Sequence, residues 1–549
     1  MKSSISRREF LRRGALLGSG LMLGTSGTLA GKSSIFHISQ RFDTIIKNGL
    51  VYSGEGTQPF TADIGIRDGK ISALGSLGDS ADRLIDVHGL AVSPGFIDLH
   101  SHTDTNLLTC PQGDSRIFQG VTTEAGGNCG DSPFPAGPYE EADQFYGALN
   151  KNKIGINYCS FTGQGSLRSA VVGNWAAPAT DEQIRAMKQV LDRQLSMGSI
   201  GLSCGLEYAP GAYASNRELV ELLKVVAAHD GLFAIHMRNE DDHVEEAITE
   251  TIDMARQAGV RLQISHLKAQ NPANWHKGPA MLRIIEQAQR DGLDAAFDRY
   301  PYIAFSTGLS SFLPLSERQG SADDVIARLN DPVKAKELEK YANSRIERLG
   351  GPGNVIISAC VLPANKETYM GKNLVQCASV TGVTLWEFIR LLLVEERLRT
   401  DIIAFAMSED NVKMFLSHPL GMPASDGSVY SPVGPLSSTM PHPRSYGTFP
   451  RFLGKYCREE KLMDLSQAVR KITSLPASRL GLKNRGLLIP GYAADLVVFN
   501  PDTIIDTATF EQPHQFARGI HHVWVNGVHT ISEGQHTGVL AGSLLQAKG

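Results

Sequence analysis

Between about residues 93 and 484, short apolar runs alternate with amphipathic stretches of helical period. This alternation limits the fold more than any other feature of the chain. Strand character is expected at Ile156–Phe161, Ser199–Ser203, Leu232–His236, Arg261–His266, Asp294–Asp298 and Met422–Asp426. Helical periodicity lies between them, at Asp181–Met197, Arg217–His229, His243–Ala258 and Gly278–Arg290. His236 and His266 end two of these strands one strand–helix repeat apart, a spacing of 30 residues. Such repeats over roughly 250 residues or more predict an α/β fold, a (β/α)₈ TIM-like barrel. A doubly wound parallel sheet is the alternative, but the Gly-x-Gly-x-x-Gly turn that usually marks one is missing. Residues 303–373 break the repeat and carry a charged helical pattern around Val333–Arg348. They read as an inserted lid over the barrel mouth.

The segments flanking the barrel look different. Residues 41–92 form short strands with turn signals at Asn48-Gly49 and Asp68-Gly69, and residues 485–535 add strands such as Ala494–Phe499 and His522–Val528. Neither set is large enough for a core of its own, so the two are expected to combine into one small β-sandwich. At 549 residues the chain exceeds one ordinary core, which agrees with this division. A formal net charge of −4 gives no reason to expect a nucleic-acid partner or an anionic membrane surface. Seven scattered cysteines, odd in number and without Cys-x-x-Cys, argue against a disulfide framework.

Residues 1–30 read as a targeting segment. Ser6-Arg7-Arg8-Glu9-Phe10-Leu11 is a twin-arginine pattern, followed by a Gly-rich apolar stretch and a small-residue region ending at Ala30. The apolar stretch is too short for a stable membrane anchor. Twin-arginine export to the periplasm or the exterior is therefore expected.

The chemistry-bearing residues sit at the ends of the expected strands, where barrel active sites lie. His100 and His102 are two apart in Phe96-Ile97-Asp98-Leu99-His100-Ser101-His102, so on a strand both imidazoles face one side and can reach one metal ion. Cys129 follows in Gly127-Asn128-Cys129-Gly130, a polar, Gly-rich setting unlike that of a core cysteine. His236, His266 and Asp426 complete a set of six candidate ligands whose S, N and O donors suit zinc. Taken alone, each has a bland reading: a packed thiol, a satisfied core histidine, a turn-shaping aspartate.

These residues, with Ser265-His266-Leu267-Lys268, Tyr300-Pro301-Tyr302, Ser425-Asp426-Gly427 and the run His442–Arg451, resemble the D-aminoacylase (N-acyl-D-amino-acid deacylase) family of the amidohydrolase superfamily. The resemblance spans roughly residues 42–530. It implies a tightly held zinc on Cys129, His236 and His266, and a second, weaker site on His100, His102, Cys129 and Asp426, bridged by the thiolate. It also implies that Lys268, Tyr300 and Arg444 bind the α-carboxylate of a small-molecule substrate, an N-acyl-D-amino acid. Zinc chemistry supplies an activated water and a polarised carbonyl, and Asp426 would move the proton from that water to the leaving amine. Leu267 departs from relatives that carry a second histidine there, which leaves nearby substrate contacts open. Related zinc amidases acting on dipeptides or cyclic amides, and a non-catalytic scaffold, are the competing readings. Nothing in the sequence speaks to oligomeric state.

Overall fold

A computed structural model describes residues 41–546. The expected export segment lies outside them. The described chain begins with β1 (Phe42–Val51), β2 (Phe60–Arg67), β3 (Lys70–Gly75), β4 (Ala81–Asp86) and β5 (Ala91–Pro94). Asp68 and Gly69 both take positive φ, 52° and 72°, and turn β2 into β3 as a tight hairpin requires. Asn48-Gly49, read as a second hairpin turn, instead lies inside β1. There it forms an irregularity where the pairing with β2 shifts register between Ile46 and Gly49. An Asn at positive φ serves a bulge as well as a turn, and the local sequence does not separate the two.

The chain then enters a run of parallel strands: β6 (Phe96–Asp98), β7 (Val121–Gly126), β8 (Asn157–Ser160) continued by β9 (Thr162–Gly163), β10 (Gly201–Gly205), β11 (Leu232–His236), β12 (Arg261–Ile264) and β13 (Ala295–Arg299). Each pairs in parallel with its neighbour, from β6–β7–β8 and from β9 through β13. An inserted three-stranded antiparallel sheet follows, in the order β14 (Ala304–Gly308), β16 (Asp401–Phe405), β15 (Val355–Ala359). The charged helix expected near 333–348 is present as Pro332–Arg348, with Asp331 accepting from the amides of Val333 and Lys334. The inserted unit runs beyond residue 373, because β16 supplies its central strand. It has its own apolar core, built on residues such as Phe312, Leu338, Trp386 and Ile402.

After the insertion, β17 (Gly421–Pro423) pairs in parallel with β13. A parallel bridge between Ser101 and Gly427, with the Asp426 amide donating to the His100 carbonyl at 2.9 Å, joins β17 back to the β6 end. With β8 and β9 counted as one strand, eight parallel segments thus meet in a closed series, the arrangement of a TIM-like barrel. Helices Asp181–Ser196, Asn216–Ala228, Val244–Ala258 and Gly278–Arg290 pack outside, burying residues such as Leu191, Leu223, Ile248 and Ile285 against strand residues Leu202, Phe233 and Leu262. The remaining strands, β18 (Leu496–Phe499), β19 (Ile520–Val525), β20 (Val528–Ser532) and β21 (Gln535–His536), return to the start of the chain. β18 pairs antiparallel with β5, so residues 42–94 and 496–536 share one nine-stranded sheet in which Ile46, Ile64, Leu496 and Trp524 pack together. No single described helix is long and apolar enough to cross a membrane.

Candidate metal centre and active site

The C-terminal ends of the barrel strands deliver the six candidate ligands to one place. His100 and His102 follow β6, Cys129 follows β7, His236 ends β11, His266 follows β12 and Asp426 follows β17. Cys129, His266 and Asp426 all adopt positive φ (52°, 37° and 51°), uncommon for residues with a side chain. Backbone held this way is kept by its surroundings and collects at functional sites. Gly205 shows how tight those surroundings are: a Cβ there would stand 1.9 Å from the Cys129 carbonyl oxygen.

Two overlapping groups form. His100, His102, Cys129 and Asp426 make one, and Cys129, His236 and His266 the other, with the donor atoms of each within 4.8 Å of one another. Cys129 Sγ lies 3.3 Å from His100 Nε2 and 3.4 Å from His266 Nε2. His236 Nδ1 is 3.0 Å from His266 Nε2, and His102 Nε2 is 3.0 Å from Asp426 Oδ1. Burial would push the Cys129 thiol up, but His100 and His266 outweigh it and hold the group well below the usual thiol range. Burial likewise works against a charged His236, yet Glu240, Cys129 and Glu207 carry its pKa up to about 10. The field at the cluster therefore favours positive charge. A buried S,N,O donor set in such a field fits a divalent, borderline-soft cation such as zinc.

The outer contacts fix which nitrogen of His100 and of His266 faces the centre. Asp298 Oδ1 is 2.9 Å from His100 Nδ1, and the same oxygen accepts the His266 backbone N–H at 2.8 Å. Glu240 Oε1 is 3.0 Å from His266 Nδ1 and 2.7 Å from Lys268 Nζ. Carboxylates at the distal nitrogens leave Nε2 of both His100 and His266 free to bind a cation. Asp298, Glu240 and Glu207 were not among the residues singled out from sequence. Asp298 lies near a strand end, as the histidines do, and Glu240 is four residues after His236; those positions are the signal that was available.

Lys268, Tyr300 and Asp426 line a cavity of about 230 Å³ beside the cluster. Asp426 and Arg444 also line a second, larger cavity of about 700 Å³ that reaches Cys129. Arg444 donates to Asp426 Oδ2 at 2.7 Å, and its guanidinium stacks 4.9 Å over the Tyr300 ring. Burial opposes ionisation of Asp426, but Arg444, His266 and His100 keep its carboxyl well below the ordinary range. The Tyr300 hydroxyl and the Arg444 Nε are buried with no hydrogen-bond partner among the described residues, so both are donors available to a ligand. Leu267, the departure noted above, is fully buried in the barrel's apolar core and is not part of either cavity wall.

Residues 83–149 and 393–531 match the amidohydrolase family. A D-aminoacylase of Alcaligenes xylosoxydans xylosoxydans is 35% identical over 525 residues, covering 92% of this chain and 98% of that protein. An N-acyl-D-glutamate deacylase of the same organism is 34% identical, over 89% and 94% of the two chains. Among solved structures, the N-acyl-D-glutamate deacylase of Bordetella bronchiseptica, complexed with zinc and a phosphonate mimic of the tetrahedral intermediate, superposes with a TM-score of 0.79. It is 33% identical, over 92% of this chain and 100% of that one. A D-aminoacylase with a binuclear metal centre also gives 0.79, at 35% identity over the same shares. Barrel and closed active-site constellation together define an amidohydrolase. The chain belongs to the D-aminoacylase family of that superfamily.

Proposed function

We propose that this enzyme hydrolyses the amide bond of N-acyl-D-amino acids, releasing a carboxylate and a D-amino acid, with zinc as cofactor. The observation that carries this reading is Cys129, whose sulfur belongs to both donor groups, beside a cavity where the Tyr300 hydroxyl and the Arg444 Nε are buried without a partner near Asp426. Cys129, His236 and His266 would hold the tighter ion, and His100, His102, Cys129 and Asp426 a weaker one. Bound there, zinc supplies a strong Lewis acid for the amide carbonyl and activates water.

The chain's own groups do the rest. Lys268, Tyr300 and Arg444 surround the place where an α-carboxylate would lie, a fixed distance from the scissile amide. They position that bond and disfavour amides lacking the group. Asp426, ionised and facing His100 and His102, accepts the proton from the attacking water at a carboxylate oxygen and returns it to the leaving nitrogen. The larger cavity leaves room for the acyl half. Names of relatives support the same class, since they include a D-aminoacylase and an N-acyl-D-glutamate deacylase.

A stereochemical panel on metal-quantified protein tests the reading: N-acetyl-D-amino acids, their L-enantiomers, dipeptides and hydantoins. Turnover confined to the D-acyl compounds supports it; turnover of L-compounds or cyclic amides alone sinks it. Export through the twin-arginine route, to the periplasm or beyond, belongs to the same proposal. Mass spectrometry of the protein recovered outside the cytoplasm would find the chain starting after about Ala30.

A further inference from the structure

His236 is turned differently from His100 and His266. Its Nδ1 faces the cluster, 3.0 Å from His266 Nε2, while its Nε2 points away and is buried without a hydrogen bond among the described residues. Two carboxylates stand near that nitrogen, Glu207 Oε2 at 3.5 Å and Glu240 Oε2 at 3.7 Å. Glu240 is already engaged by Lys268 on both oxygens, by Gln270 and by the His266 contact. Glu207 is the freer acceptor. An imidazole that binds a cation through Nδ1 keeps its proton on Nε2, and that N–H needs a partner to hold the ring in place.

Glu207 stands just past the end of β10, on a loop that the inserted unit grips. Arg318 donates a terminal N–H to the Glu207 carbonyl oxygen at 3.1 Å and its Nε–H to the Leu313 carbonyl at 3.0 Å. Arg345 shares the wall of the smaller cavity with Glu207. Burial and the neighbouring Glu240 oppose ionisation of Glu207, but His236 and Arg345 keep its carboxyl below the ordinary range. Arg345 lies in the last turn of the helix Pro332–Arg348, three residues before Arg348 and so on the same side. Arg348 reaches the next loop: its Nη1 is 3.0 Å from Asp242 Oδ2 and 3.5 Å from Asp241 Oδ2, the two residues that follow Glu240. One helix end thus holds both loops whose carboxylates stand behind His236 and His266, the histidines grouped with Cys129.

We propose that Glu207 is the positioning carboxylate of His236, and that Arg345 and Arg348 couple docking of the inserted unit to retention of the zinc ion. This inference rests on zinc occupying the Cys129, His236 and His266 group, and not on which amide the enzyme cleaves. The link works in both directions. Whatever holds the inserted unit in place holds the ligand loops, and an ion that fixes the imidazoles favours the docked unit by the same factor.

Chelator competition on the full chain reads zinc affinity without substrate, for the wild type, Glu207→Gln, Arg345→Met, Arg348→Met and the double variant Glu207→Gln/Arg345→Met. Glu207→Gln should weaken zinc binding by about tenfold or more, as removal of an outer partner of a metal ligand does. Arg345→Met and Arg348→Met should each weaken it by about threefold or more, while Arg345→Lys, which keeps the charge, stays within about twofold of the wild type. The double variant should bind no more weakly than Glu207→Gln alone, because Arg345 acts through that carboxylate. Hydrogen–deuterium exchange supplies the reciprocal reading. Zinc should slow amide exchange in the last turn of Pro332–Arg348 by about threefold or more in the wild type, and by less in Glu207→Gln.

Wild-type zinc affinity in Glu207→Gln, losses that simply add in the double variant, or identical exchange with and without zinc overturns the proposal. Should Glu207→Gln fail to fold, the half-buried Arg345 and Arg348 carry the test, and wild-type affinity in both single variants overturns it. None of these outcomes turns on amide hydrolysis. A failed substrate panel leaves the coupling standing, and a failed coupling leaves the deacylase reading standing.

Discussion

Glu240→Gln changes one atom at the most heavily contacted carboxylate of the site, and its cost follows from the geometry. Glu240 is 1% exposed and receives Lys268 Nζ at 2.7 Å on both oxygens, Gln270 Nε2 at 2.9 Å, and the His266 Nδ1 contact at 3.0 Å. Glutamine keeps the shape but presents an N–H₂ to donors and removes the charge opposite Lys268. Breaking a buried ion pair from one side costs about 3–5 kcal/mol, because the surviving charge is left without compensation. Loss of a carboxylate behind a metal-binding imidazole typically weakens metal affinity about 10- to 100-fold. Chelator competition should therefore show a zinc affinity lower by a factor in that range, and a chemical-denaturation midpoint well below that of the wild type. Adding Lys268→Met to Glu240→Gln should recover part of the stability but none of the zinc affinity, since it removes the stranded charge without restoring the His266 partner. Wild-type zinc affinity in Glu240→Gln would refute the argument that this carboxylate sets the imidazole.

Three further outcomes are expected. Asp426→Asn should retain the tighter zinc while kcat falls by about 10²- to 10⁴-fold, the range for loss of a general acid–base; metal analysis beside steady-state kinetics decides it. Arg444→Met should raise KM sharply for substrates with a free α-carboxylate, by about 30-fold, and much less for their methyl esters; equal effects on both would mean a structural role. Gly205→Ala should reduce zinc content and turnover together without contacting any ligand side chain, because its Cβ would displace the Cys129 carbonyl. A fully metallated, fully active Gly205→Ala enzyme would show that the Cys129 backbone tolerates the shift.

Much of the barrel was legible because its evidence is local. The helix Gly278–Arg290 and the strand Leu232–His236 fall where periodicity places them, and the six candidate ligands stand at or just after strand ends. What sequence did not reveal depends on contacts between distant residues. Phe305 pairs with Ala404 across the inserted sheet, about a hundred residues apart, so the full extent of that unit has no local signature. Asn48-Gly49 satisfies the chemistry of a hairpin, and only its pairing partner in β2 makes it an irregularity within a strand. Asp298 and Glu240 look like ordinary acidic residues until the fold puts them behind His100 and His266.

X-ray absorption at the zinc edge of the reconstituted enzyme addresses the metal centre without reference to any substrate. One sulfur at about 2.3 Å with nitrogen and oxygen neighbours at about 2.0–2.2 Å is expected, and the sulfur contribution should vanish in Cys129→Ala. A shell of light atoms only in the wild type, or a sulfur signal that survives Cys129→Ala, would contradict the centre described here.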